Sequence, residues 1–158
     1  MQRRSCQVSN LKKKISALMS VLLLACCVIL PASAVETKQN VQVSYIDSGN
    51  IQVETVLIIH DSLMRAHSKG ADLIQTYKSD GKVIAEVTLS ATFGYDGEDA
   101  WVISADGSHV TYSGWSYGSE RITESGNRAR LTAKLSHSGD SSIPVSISLS
   151  CTPSGQIS

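Results

Sequence analysis

The chain has 158 residues, 42% of them apolar and 18% charged, with 14 basic and 14 acidic residues that balance to no formal net charge. That composition excludes a disordered polymer, which lacks enough apolar surface to bury, and the length suits one packed domain rather than several. The neutrality conceals an asymmetry, because the N-terminal 34 residues hold basic side chains and no acid.

Those residues carry Arg3, Arg4, Lys12, Lys13 and Lys14 ahead of an apolar run from Ile15 to Leu30, followed by Pro31 and by Ala32-Ser33-Ala34. A basic start, an apolar segment shorter than the ~20 residues of a membrane span, and small residues at its end describe the helix of a secretory signal peptide. The expected division is residues 1–34 as signal peptide and 35–158 as a single mature domain. Leu24-Ala25-Cys26 loosely matches a lipoprotein box, but the apolar run continues to Leu30, so a lipid anchor at Cys26 is not expected. Arg3-Arg4 reads as part of the charged start rather than as a twin-arginine signal.

Cleavage removes five of the 14 basic residues and none of the 14 acids, leaving nine against 14, a net charge of −5. Nucleic acid and anionic lipid both need a positive patch, so neither is an expected partner and no membrane association is expected after cleavage. Cys6, Cys26 and Cys27 leave with the leader and Cys151 remains alone, which rules out an intrachain disulfide or a cysteine-rich zinc site in the mature chain. Exported proteins without cysteine pairs are common in Gram-positive bacteria.

In the mature chain the first turn signal is Asp47-Ser48-Gly49-Asn50, ahead of a strand near 51–60. The segment from 58 to 74 holds the one helical signal: Leu63, Met64 and Ala66, capped by Asp61 or Ser62 and closed by Gly70, suit a short helix or an irregular crossover. A strand near 71–78 and the turn Ser79-Asp80-Gly81 follow.

Residues 82–93 then alternate, with Val83, Ala85, Val87, Leu89, Ala91 and Phe93 on one side and Ile84 the one apolar residue on the other. A period of two marks a strand with one buried face. After Asp96-Gly97 comes a strand over 100–105, and Asp106-Gly107 reads as the next reversal. The alternation returns after Ser125-Gly126-Asn127, where Ala129, Leu131, Ala133 and Leu135 face in. It returns again after Ser138-Gly139-Asp140, with Ile143, Val145, Ile147, Leu149 and Cys151 inward. Short strands punctuated this often predict an all-β fold, a single antiparallel β-sandwich of seven to nine strands with immunoglobulin-like character.

Candidate sites are sparse. Asp96, Glu98 and Asp99 cluster in one loop and are weak metal candidates, below the six to eight oxygens calcium takes; Asp106 is expected at the opposite end of strand 100–105. Turn chemistry is the expected role of these acids, and a solvated hairpin tip does not hold the paired carboxylates of a glycosidase. His60, His67, His109 and His137 fit no metal or hydrolase motif and read as surface or strand-end residues. Trp101 is expected to continue the inward face with Ile103, and Trp115 to fill the core. The competing reading is an aromatic contact surface for a partner protein or glycan at Tyr112, Trp115 and Tyr117, with the two tyrosines as the exposed pair. Cys151 is expected to be a buried, inert thiol.

The stretch from Val87 to Gly97, with Trp115, Ser125-Gly126-Asn127 and Cys151, resembles a group of small exported Firmicutes proteins of unknown function. The resemblance implies export and a β-sandwich, and assigns no activity or catalytic residue. Members often carry a second cysteine near the position of Trp101 or Val102; the resemblance therefore implies that a disulfide to Cys151 is lost here.

Together these readings describe a secreted, non-catalytic binding or interaction module with no cofactor. Three alternatives stand beside it: a self-assembling surface subunit acting through sheet edges, a calcium-stabilised module, and a hydrolase of unrecognised type.

Overall fold

A computed structural model describes residues 36–46, 50–61, 67–139 and 142–158. The predicted signal peptide and most of the predicted helix, including Leu63, Met64 and Ala66, lie outside the described residues. The described residues form one compact unit.

Eight strands follow one another: β1 (Glu36–Ile46), β2 (Ile51–Asp61), β3 (Ser68–Ser79), β4 (Lys82–Tyr95), β5 (Ala100–Thr111), β6 (Ser116–Ser125), β7 (Arg128–Ser136) and β8 (Ile143–Ser150). They make two antiparallel sheets, β1-β2-β3-β4-β5 and β6-β7-β8. Within each sheet every strand pairs with its sequence neighbour. This is a meander, and it replaces the Greek-key crossing that immunoglobulin-like character would require.

One apolar core draws on both sheets, with Val87, Leu89 and Phe93 of β4 and Leu131, Leu135, Ile147 and Leu149 of β7 and β8 almost wholly buried. Each such side chain contributes about 1.5–3 kcal/mol by leaving water. The alternations of β7 and β8 come through as read, apolar residues in and Arg128, Arg130, Lys134 and the even-numbered serines from 142 to 148 exposed. Cys151 is buried beyond the end of β8, and loss of solvation raises its thiol pKa, which keeps it protonated and inert.

The β3–β4 hairpin turns on Asp80 and Gly81, both with positive φ (49° and 75°), the backbone that Asp-Gly adopts most readily. Next to it the sequence reading needs correction. Tyr77 pairs with Ala85 while Lys78 pairs with Val83, so Ile84 is the extra residue of a β-bulge. The bulge turns Ile84 into the core, 3% exposed, and Val83 out to solvent.

Three further expectations change. Gly70 lies inside β3 rather than closing a helix, and β5 runs straight through Asp106-Gly107, so no reversal occurs there. On β5 a second bulge, between the pairs Thr92–Ser104 and Phe93–Val102, displaces Ile103. Trp101 and Ile103 consequently stand outside the core, 44% and 46% exposed.

Candidate binding groove on the outer sheet face

The five-stranded sheet turns one face to the core and one to solvent, and its register decides which polar residues share the solvent face. His60, Gly70, Thr92 and Ser104 lie side by side across β2 to β5, and Ile58, Asp72, Ser90 and Asp106 form the next row on the same face. Three strand spacings and two residues of rise give these rows a footprint of roughly 14 by 7 Å. Between the two rows Ala71, Ala91 and Ala105 turn toward the core, and small residues leave a shallow cleft of about 180 Å³.

His60 reaches diagonally over Gly70 and its Nε2 lies 3.0 Å from Asp72 Oδ2. Both side chains remain about one-third open to solvent, so the pair orients the imidazole and contributes at most ~1 kcal/mol to stability. Asp106 stands two strands from Asp72 with Ser90 between them.

One row further along the same face, Trp101 pairs with Gly94. A methyl group at Gly94 would overlap the indole, so the ring lies over the glycine, in the row next to that of Thr92 and Ser104. The cleft combines two carboxylates, an imidazole and three hydroxyls, and the exposed Trp101 ring stands in the adjacent row of the same face, all carried on strands. Its volume is below the ~300–1,000 Å³ of clefts that enclose a whole ligand.

The residues singled out from sequence are distributed differently. Tyr112 is exposed, while Trp115 packs against the core and stacks on His137 at 5.3 Å between ring centroids. Tyr117 is half-buried, stacked on His109 at 3.9 Å, and its hydroxyl donates to Glu120 Oε2 at 2.7 Å. Desolvation, and then that bond to a carboxylate, raise its pKa. Tyr112 and Tyr117 are thus not an exposed pair, and the three rings do not share one platform.

The acidic loop is a turn. Asp96 Oδ1 accepts from the backbone N–H groups of Glu98 at 2.9 Å and Asp99 at 2.7 Å, and Asp99 carbonyl accepts from Asp96 N–H at 3.1 Å. Those donors, Asp99 first, hold the Asp96 carboxyl below the ordinary range. The C-terminal segment braces the loop, with Pro153 carbonyl accepting from Gly97 N–H at 3.0 Å. Among the described residues no three His, Cys, Asp or Glu side chains converge as metal ligands.

Sequence reasoning placed Ser90 and Thr92 on the polar side of their strand but missed the groove. His60, read from sequence as a surface or strand-end residue, has its carboxylate partner, Asp72, on the adjacent strand. Only the β2–β3 register, which sets His60 opposite Gly70, connects them. Compared with known proteins, the chain matches no protein family, no curated protein and no solved structure.

Proposed function

We propose that the protein is an exported, non-catalytic β-sandwich module that binds a polyhydroxylated ligand, a glycan, on the outer face of its five-stranded sheet. The observation that carries this reading is the juxtaposition of Trp101, laid over Gly94, with the His60–Asp72 pair, Asp106 and the hydroxyls of Ser90, Thr92 and Ser104. An indole offers its flat surface to the C–H face of a sugar ring. Carboxylates accept from sugar hydroxyls, and Ser and Thr both donate and accept. An open sheet face touches one side of its ligand and leaves water on the other, which suits recognition better than the water exclusion that catalysis exploits. Export rests on the signal-peptide pattern of residues 1–34, supported by the resemblance to small secreted Firmicutes proteins.

The test is a glycan array followed by titration calorimetry on residues 35–158. Trp101→Ala and Asp72→Asn are each expected to weaken binding at least tenfold, with Tyr112→Ala unchanged. Binding lost in Tyr112→Ala and kept in the other two would move the site to the β5–β6 turn.

A further inference from the structure

We infer that two copies of this chain associate through β1, pairing antiparallel about a two-fold axis at Val43 to join their five-stranded sheets into one sheet of ten. The two described sheets present four edges; three of them carry protection, and β1 carries its bulge and charged residues, Glu36 and Lys38, in its first half only. Along β5 there is the bulge at Ile103, the charge of Asp106, and a bond from Val102 N–H to Gly126 carbonyl at 2.9 Å. Edge β6 has its own bulge between Gly118 and Arg121, with Glu120, Arg121 and Glu124 exposed. Edge β8 contains Pro144, and the chain end folds back on it: Ser150 and Ser158 exchange backbone bonds at 2.8 and 2.9 Å, and Cys151 bridges Ile157.

Edge β1 differs. Past a bulge at Asn40, Val41–Ile46 runs in regular register with β2, and among the described residues nothing pairs with its other side. The stretch QNVQVSYI (39–46) has no charge, proline or glycine, while Val43 and Tyr45 stand 50% and 64% exposed. Such an edge is a template for another strand.

The occupant that fits is a second β1. A two-fold axis at Val43 sets Val43 opposite Val43, Gln42 opposite Ser44, and Val41 opposite Tyr45 of the other copy. These are β-branched, amide–hydroxyl and aromatic–β-branched pairs with no like charges opposed. Glu54, the acid beside Val43 on β2, is already paired with Lys78 at 2.7 Å and adds no repulsion. An axis normal to the sheet turns both outer faces the same way. If the groove binds glycan, the dimer presents two grooves to one surface, although the dimer does not depend on that reading.

Sedimentation equilibrium of residues 35–158, which contain the whole described core, is expected to show concentration-dependent dimers. Val43→Lys, which sets two ammonium groups face to face, should weaken dimerisation at least tenfold, and Val110→Lys on β5 should leave it unchanged. Val43→Cys keeps a small side chain, and mild copper-phenanthroline oxidation should cross-link it between copies, whereas Cys151 is buried and gives no cross-link in the parent. A monomer at every concentration, dimers undiminished by Val43→Lys, dimers lost in Val110→Lys, or no cross-link at Val43→Cys would each overturn the proposal.

Discussion

The most apolar unbroken run of residues 36–158, Val56-Leu57-Ile58-Ile59 on β2, is less buried than the alternating Val87-Thr88-Leu89-Ser90-Ala91 on β4. All four residues of the β2 run keep part of their surface in water, whereas Val87 and Leu89 are completely buried. Both strands belong to the same sheet, and hydropathy does not explain the difference. Position does: β4 lies at the centre of the shared core, while β2 lies toward the β1 flank, where among the described residues only Ile51 and Val53, at one end, are fully covered. Burial is set by what a strand faces, and a run of four apolar residues must in any case send alternate side chains to the outer face.

The sharpest way to break this comparison is to truncate one leucine on each strand. Leu89→Ala should cost about 2–5 kcal/mol in chemical denaturation, since it opens a cavity in a fully packed site. Leu57→Ala, on a side chain already partly in water, should cost about 1 kcal/mol. Equal losses would show that the β1–β2 flank is as tightly covered as the centre.

The bulge on β4 supplies an intermediate effect between neighbours in sequence. Ile84→Thr should lose about 2 kcal/mol, because a hydroxyl replaces apolar volume in the core. Val83→Thr, on the exposed side, should change stability by less than about 0.5 kcal/mol. The reverse order would mean that the strict alternation, and not the bulge, governs this strand.

The smallest expected effect concerns the acidic turn. Because the folded Asp96 pKa is lowered, its charge stabilises the fold at pH above the unfolded value of ~3.9. That contribution disappears as pH falls through the lowered folded value. Asp96→Asn keeps an acceptor oxygen but lacks the charge, so the melting-temperature gap between parent and variant should narrow as pH drops from 6 to 2. A gap that stays constant would remove the charge from the account.

Of the candidate groove, single residues were legible and their assembly was not. The alternation of β4 puts Ser90 and Thr92 on the polar side, yet nothing local states that Asp72 and Asp106 flank Ser90 on the neighbouring strands. Trp101 shows the same limit. Its apolar bulk predicts the core, and a one-residue bulge at Ile103 together with a glycine opposite the indole sends it outside. A bulge reverses the facing of every residue beyond it, and the pattern of one strand does not reveal where it falls.

The sequence by itself determined the all-β class, the faces of β7 and β8, the Asp80-Gly81 turn and the burial of Cys151, because period-two alternation and positive-φ turn chemistry are local properties. The tertiary structure alone decided which of Val83 and Ile84 enters the core, that β5 passes through Asp106-Gly107 without turning, that His60 meets Asp72, and that among the described residues no strand pairs with the outer side of β1. Each of these depends on strand register and on which strands lie opposite, relations between residues distant in the chain that no local pattern encodes.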